Sequence, residues 1–538
     1  MNFKDKYLSE QIITYLGNKR KLIEFINRTV DNIILNDDEL SKKEKKDIIF
    51  FDIFAGSGVV SRYSKLKGFT TYSNDLEIYS YIIQNTLINI NKNELNNIFT
   101  NSVNNLVTSN RINKKDLIIN NNYQTILNYL NTLISPEKKE NLYWSIHYAP
   151  KDTNNPDFEN ERLFYTRENA LIIDAIIELI ENKKLFSEKE KNIIKTSLMY
   201  NMTYNINTSG TMKGFHNGWG GKGKNALNRI LAKIELKPLP LIDGIKGKVF
   251  NDYAEKVFKN NDIEYVDIIY ADPPYNQHQY SANYNHLTTL VQNDRYNPGK
   301  VKKGSRAGIR TDHTRSDFCK SIKDKNDNIK MAEKAFISFM NNINCKYIIM
   351  SYNNEGVVSI DKLIDIISMN GKHTINIEYK LHDKFKGGKA TQTSNKVIEY
   401  LIIIEFNKKQ DKNKLELIKL DLLKQTKKEL FLDKYINIYN CCKLNLETKK
   451  NKDNTISLIK NNQIVIKVND KLKVIEENIE ILSLEEITEL EKRILDILDL
   501  LEYYYYANKI EYLKNNLNKL KIKKYKKEFI KFKRLLKL

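Results

Sequence analysis

The stretch DIIFFDIFAGSGVVSRYSKLKGFTTYSNDLEIYSYIIQNTLINI, residues 47–90, decides the fold. Asp47 to Phe54 is a short, mostly apolar run punctuated by Gly56 and Gly58. A run of that length ahead of a glycine turn reads as a buried strand. A helical stretch follows to Lys67, Thr70 to Asn74 is a second strand, and Leu76 to Ile90 a second helix. Strand, turn, helix, strand, helix is the alternation of a βαβ unit, in which the strands run parallel and helices cover the sheet.

Beyond residue 90 the rhythm breaks. Residues 91–245 read as an insertion with helical segments such as Arg167 to Leu185, and with a helix start at Ser187 and Glu190, whose spacing is that of a capping box. A glycine-rich loop, GTMKGFHNGWGGKGK, occupies 210–224. Sheet patterning then returns, with apolar strands at Tyr265 to Ala271, Lys346 to Tyr352 and, last, Val397 to Phe406. The expected architecture is α/β: a Rossmann-like, mostly parallel sheet in two parts, 1–90 and 246–406, split by the helical insertion 91–245 and followed by an α+β region, 407–538. In that last region Thr455 to Glu477 looks like a hairpin turning at Asn461-Asn462. Ser483 and Glu486 cap a helix whose apolar face is Ile487, Leu490, Ile494, Ile497 and Leu501, and the segment from Glu511 to Leu538 is crowded with Lys and Arg.

The chain has 538 residues, more than one ordinary core accommodates. Hydrophobic residues make up 41%, with 32 Tyr and 21 Phe, which excludes a disordered chain. The formal net charge is +21 and points to a polyanionic partner, nucleic acid first, although a genome of low GC content also inflates Lys. Cys319, Cys345, Cys441 and Cys442 form no CxxC pair, so neither a zinc site nor a disulfide framework is indicated. No apolar run approaches the ~18 residues of a membrane span. A cytoplasmic protein without membrane association is expected.

The chemistry concentrates in Ala271-Asp272-Pro273-Pro274-Tyr275, directly after the strand ending IIY. An exocyclic amine is a poor nucleophile because its lone pair is delocalised into the ring. A carboxylate (Asp272) and a rigid backbone carbonyl (Pro273) can accept its two N–H bonds, and this favours a geometry that aims the lone pair at a methyl donor. Pro273 and Pro274 fix φ and donate no N–H. Tyr275 offers a ring for stacking an extruded base, a contact worth about 1–3 kcal/mol in single-strand binders. The bland reading is a strand-ending turn that merely uses Pro.

Asp52, Phe54, Gly56 and Gly58 form a turn that lets a ligand approach the backbone. The turn is neither GxGxxG nor a phosphate loop ending GK[ST], so a sulfonium cofactor with an amino acid tail and a ribose fits better than a nucleotide phosphate. Asp75 closes the next strand, where an acidic side chain binds ribose hydroxyls or caps the following helix. Asp252 and Tyr253 follow another strand, and YLGNKRKL at 15–22 sets Gly17 and Lys19 ahead of an apolar helix.

In this order YLGNKRKL, FDIFAGSG, a long insertion and ADPPY, the chain resembles the alpha group of adenine-N6 DNA methyltransferases, the Dam-like D12 class. NQHQYSANYNHLTTL from Asn276, SYNNEG from Ser351 and VIEYLIIIEF from Val397 extend the likeness, which covers 11–406 and fades after it. The resemblance implies S-adenosylmethionine as cofactor, with no metal, and methyl transfer to the N6 of an adenine flipped out of double-stranded DNA. It implies that Tyr15, Gly17, Lys19, Asp52, Phe54, Gly56, Gly58, Asp75, Asp252 and Tyr253 bind the cofactor and that Asp272, Pro273, Pro274 and Tyr275 are catalytic. Serine or asparagine in place of Asp272 would point to a cytosine-N4 or a protein-glutamine enzyme. The competing expectations are an RNA adenine methyltransferase and a non-catalytic specificity protein.

The resemblance makes the insertion a target-recognition region. Lys213, Lys222 and Lys224 are candidates for phosphate contact and Phe215 and Trp219 for wedging into the base stack. Lys302, Lys303, Arg306, Arg310 and Arg315, downstream of the tetrad, are further DNA-contact candidates. A restriction endonuclease acting on the same site is a candidate partner whose existence the sequence leaves open; the expected location is a bacterial cytoplasm, with the enzyme at the nucleoid while acting. Glu378-Tyr379-Lys380 has the ExK shape of a metal nuclease, but its place between late strands of the sheet favours a structural role.

Overall fold

The first unit is built on a seven-stranded sheet in the order β3-β2-β1-β4-β5-β7-β6. Its strands are β1 (Ile49–Asp52), β2 (Thr70–Asn74), β3 (Lys248–Phe250), β4 (Val266–Ala271), β5 (Cys345–Asn353), β6 (His373–Asp383) and β7 (Lys396–Phe406). The computed structural model describes residues 5–302, 305–324, 327–353, 356–369, 371, 373–383 and 396–409. It further describes 411, 415, 418, 422, 447–451, 453, 455–468 and 474–477. Two compact units divide the chain, Met1–Ala390 with Val397–Leu415 and Thr391–Lys396 with Glu416–Leu538.

β1 pairs in parallel with β2 and β4, so Phe50 lies beside Thr71 on one side and Ile268 on the other. β3 joins β2 and β5 joins β4, again in parallel, whereas β7 runs antiparallel to β5. Every residue of β4 is buried, as the apolar run VDIIYA demands of a strand covered on both faces. Between β1 and β2 lies α1 (Val59–Lys67), and between β2 and the insertion α2 (Ile78–Asn89). One apolar core joins α2 to the insertion helices, including α3 (Arg167–Ile180) and α4 (Glu188–Tyr204), and to α5 (Asn285–Gln292). A second core, with Phe25, Ile26, Val60 and Tyr63, lies against Phe50, Ile268 and Tyr270 of the sheet.

The elements between 59 and 74 fall where the sequence sets them, and the Ser187–Glu190 capping box forms at the start of α4. Other expectations shift. The helix expected to reach Leu185 ends at Ile180, and the one expected from Leu76 begins at Ile78, because Asp75 accepts from the Glu77 amide and holds the chain extended there. Glu378-Tyr379-Lys380 sits within β6 rather than between strands, and Glu378 accepts a 2.8 Å hydrogen bond from Thr29.

In the second unit, Ile456–Lys460 and Gln463–Val468 form the antiparallel hairpin, with Asn461 and Asn462 at φ 49° and 65° in its turn. Glu447–Lys450 and Val474–Glu477 widen it to a four-stranded sheet. The capped helix expected from Ser483 and the basic segment 511–538 lie outside the described residues.

Candidate active site

Parallel pairing decides where the chemistry gathers. β1, β2, β3 and β4 all point the same way, so the segments leaving them open on one edge. The order also reverses there, since the chain winds outward from β1 to β2 in one direction and from β1 to β4 in the other. That is where an open α/β sheet binds ligands. A cleft of about 940 Å³, open to solvent, lies at this edge. Tyr15, Gly17, Lys19, Asp52, Phe54, Gly56, Asp75, Asp252, Tyr253, Asp272, Pro273, Pro274 and Tyr275 line it. Thirteen of the fourteen sequence candidates for cofactor binding and catalysis thus meet in one place.

Asp272 follows β4, and its Oδ1 is 3.1 Å from the Nζ of Lys19. Lys19 is buried, and the same Nζ is 2.6 Å from Oε1 of Glu399 on β7. Burial pushes the Asp272 carboxyl up while Lys19 draws it down, and the balance stands at about 6. Burial opposes the charge on Lys19, but Asp272 and Glu399 hold its ammonium well above the usual lysine value. Lys19, expected with the cofactor motif, lines the cleft but gives its ammonium to these two carboxylates.

The glycine turn is tied to the next strand. The Gly56 amide donates to Oδ2 of Asp75 at 2.6 Å and the Glu77 amide to Oδ1 at 2.8 Å. Gly56 has φ 52°, and a Cβ there would lie 2.9 Å from the Tyr15 ring. Gly58, at φ 79°, is the candidate outside the cleft lining; a Cβ on it would strike Gln84 of α2. Its left-handed backbone makes the bend that starts α1. Asp52 accepts from Ser61 at 2.7 Å, and burial raises its carboxyl to about 7.

Asn74 fastens the Asp252 loop, donating to its carbonyl and accepting from its amide. Tyr15 stacks on Tyr284 and Tyr280, with centroids 4.8 and 5.2 Å apart. The sequence reading passed over Glu77, Gln279, Tyr280, Phe318 and Cys319, which also line the cleft. Only the likeness of NQHQYSANYNHLTTL signalled part of this set. Glu399 was equally unmarked, although a lone acid inside the apolar run VIEYLIII was a usable clue.

The expected DNA-contact residues scatter. Phe215 packs against Phe164 with the Arg306 guanidinium over its ring, and the Trp219 indole donates to the Thr153 carbonyl at 2.9 Å. Both rings are anchored, which removes them as free wedges. Arg310 is 2% exposed and ion-paired with Asp294 and Asp312, so it does not face a phosphate. Arg306 is half-buried and donates to the Phe158 carbonyl. Lys222, Lys224, Lys302 and Arg315 are exposed, Lys213 is half-buried, and Lys303 lies outside the described residues. Among the described residues no group of three or more His, Cys, Asp or Glu is placed to hold a metal, and no helix is long and apolar enough to cross a membrane.

A mostly parallel sheet with an acidic, aromatic cleft at its switch point and a D-P-P-Y turn in that cleft fits a methyltransferase acting on an exocyclic amine. The profile of the D12 class N6 adenine-specific DNA methyltransferases matches residues 15–366. The chain belongs to that family, whose members use S-adenosylmethionine as methyl donor. It is 27% identical to the type II methyltransferase M.NlaIII of Neisseria lactamica over 401 residues, 73% of this chain and 99% of that protein. It is 26% identical to the type II methyltransferase M.CviAII of Paramecium bursaria Chlorella virus 1, over 73% of this chain and 98% of that one. Identity to the modification methylase StsI of Streptococcus sanguinis is 28%, over 74% of this chain but only 53% of that larger protein. No solved structure matches. Membership sets aside the RNA and non-catalytic readings.

Proposed function

We propose that this chain is the modification enzyme of a restriction–modification pair, or a stand-alone methylase, and marks one short site in double-stranded DNA. The relatives named as type II and modification methylases support the first role. The observation that carries the site assignment is the convergence of Asp272 to Tyr275 with the Gly56 turn and Asp75 on one strand edge.

The cleft suits S-adenosylmethionine. Its acidic lining, with Asp52, Asp75, Glu77, Asp252 and Asp272, favours a cationic ligand, and the Gly56 turn lies in the same cleft. Asp52, Phe54 and Gly56 hold the methionine end, Asp75 the ribose, and Asp252 with Tyr253 the adenine. The bound cofactor supplies an electrophilic methyl group. An adenine reaches it only after leaving the helix stack. With Oδ1 of Asp272 engaged by Lys19, Oδ2 is the oxygen left to accept one N6–H, while the Pro273 carbonyl accepts the other and Tyr275 stacks on the base. As the N–C bond formed, the cofactor's S–CH3 bond would break and leave its electron pair on a neutral thioether, and the amine's surplus proton would pass to Oδ2 of Asp272 and then to solvent. Positioning and fixed charge do most of the work.

Residues 91–245 are proposed as the target-recognition region and 407–538 as a basic region that aids DNA engagement or, on the alternative reading, pairs two subunits. The test is methyl transfer from labelled cofactor to duplex DNA, with N6-methyladenine read from the hydrolysed product. Asp272→Ala is expected to lose methyl transfer by at least 100-fold, roughly the scale of a removed positioned acceptor, while cofactor affinity stays near that of the parent. Near-parental turnover in that variant would sink the assignment.

A further inference from the structure

We propose that Glu399 is a positioning residue for methyl transfer: through Lys19 it fixes the place and the charge of the Asp272 carboxylate. The proposal rests on the reading of Asp272 as acceptor of the target amine. Three distant segments build the arrangement. Lys19 comes from the single turn Lys19–Lys21 ahead of the helix Ile23–Asn36, Asp272 from the end of β4, and Glu399 from the antiparallel strand β7, with Lys19 and Glu399 380 positions apart. Lys19 is 6% exposed and Glu399 3%. Ser351 on β5 donates a short hydrogen bond to the same Oε1 of Glu399 that Lys19 holds.

A single buried Lys–Asp pair would suffice to keep Asp272 ionised. Adding a second carboxylate leaves the cluster with a net negative charge inside the protein, which is costly to desolvate. The site carries that cost, and the distances suggest its use. The ammonium is drawn to 2.6 Å from Glu399 and stands 3.1 Å from Asp272. Without Glu399 it would close on Asp272, occupy its lone pairs and weaken it as an acceptor for the amine. Anchored by Glu399, Lys19 orients Asp272 and keeps it charged without fully neutralising it. Burial first, then Lys19 and Glu399 in opposite senses, bring the Asp272 carboxyl to about 6.

The other groups facing this cluster are Tyr270 on the Asp272 strand, Asp52 at the end of β1, and Tyr275 and Tyr280 beyond the tetrad. Burial raises Tyr270 and Tyr280 well above the ordinary phenol value, so neither ionises in the range concerned. Asp52 titrates near it, at about 7, but no substitution below touches it.

The sign of the effect makes the test specific. Glu399→Gln removes a negative charge and releases Lys19 to Asp272, so the acid limb of kcat/KM against pH should move to lower pH by roughly one unit. kcat at pH 8 should fall at the same time, with cofactor affinity unchanged by calorimetry. Lys19→Met should move the limb the other way. A merely structural role for Glu399 would lower activity at all pH values without moving the limb. If Glu399→Gln does not fold by circular dichroism, Glu399→Asp withdraws the charge by one methylene and should give a smaller shift of the same sign. An unmoved limb in a folded Glu399 variant overturns the proposal. Asp272→Asn separates the two readings: if it methylates like the parent, the Asp272 assignment fails; if it is inactive and the Glu399 limb does not move, only the positioning role fails.

Discussion

The chain has two glycine-rich turns that look alike in sequence and differ in what surrounds them. In Phe54 to Gly58, each glycine has a side chain standing where its Cβ would go, Tyr15 against Gly56 and Gln84 against Gly58. In 210–224, Gly210, Gly214 and Gly218 have nothing within 4 Å of that position, and packing resumes only at Gly220 and Gly221. The first turn uses glycine to bring chain segments together. The second leaves space open beside exposed Lys222 and Lys224.

The comparison can be broken at either turn. Gly56→Val should have the largest effect, because a β-branched residue at φ 52° is strained by about 1–3 kcal/mol and must also displace Tyr15. Cofactor affinity is expected to fall at least tenfold by calorimetry in a protein that still folds; unchanged affinity would detach the turn from the cofactor. Neutralising Lys213, Lys222 and Lys224 together should leave cofactor binding alone and flatten the salt dependence of DNA binding. Each lost phosphate contact lowers the log–log slope by about 0.9. Lys213 is half-buried, so most of that change should come from the other two, and an unchanged slope would mean that the loop faces solvent. The smallest effect belongs to Gly214→Ala. With no positive φ and no neighbour, it should alter neither melting temperature nor methylation measurably, and a marked loss of activity with stability intact would show that DNA approaches at that residue.

Local signals were legible because local physics sets them. β2 at Thr70–Asn74, α1 ending at Lys67 and the Ser187–Glu190 box depend on residues within a turn or two of one another. Strand β6 escaped because its charged residues interrupt the apolar alternation, and it is held by a neighbour that comes later in the chain. The cleft was readable as motifs but not as contacts. Nothing near Lys19 announces that its partner is Glu399, and of the two acids that claim Arg310 only Asp312 lies beside it in the sequence. Charge counted along a sequence does not separate a cation waiting for phosphate from one already paired inside the fold. Only Lys222, Lys224, Lys302 and Arg315 among the expected contacts lie exposed in the described residues.

The strand order has a consequence for how the protein is made. β7 stands between β5 and β6, although β6 leaves the ribosome first. Until β7 arrives, β5 and β6 each present an unpaired edge, the kind of surface on which nascent chains stick to one another. The Lys19–Glu399 pair closes only after 380 further positions have been added, a wait of ~20–75 s at ordinary synthesis rates. On the proposal that Glu399 steadies Asp272, an unfinished chain carries the D-P-P-Y turn without that support, and the cleft is completed only once β7 has joined the sheet.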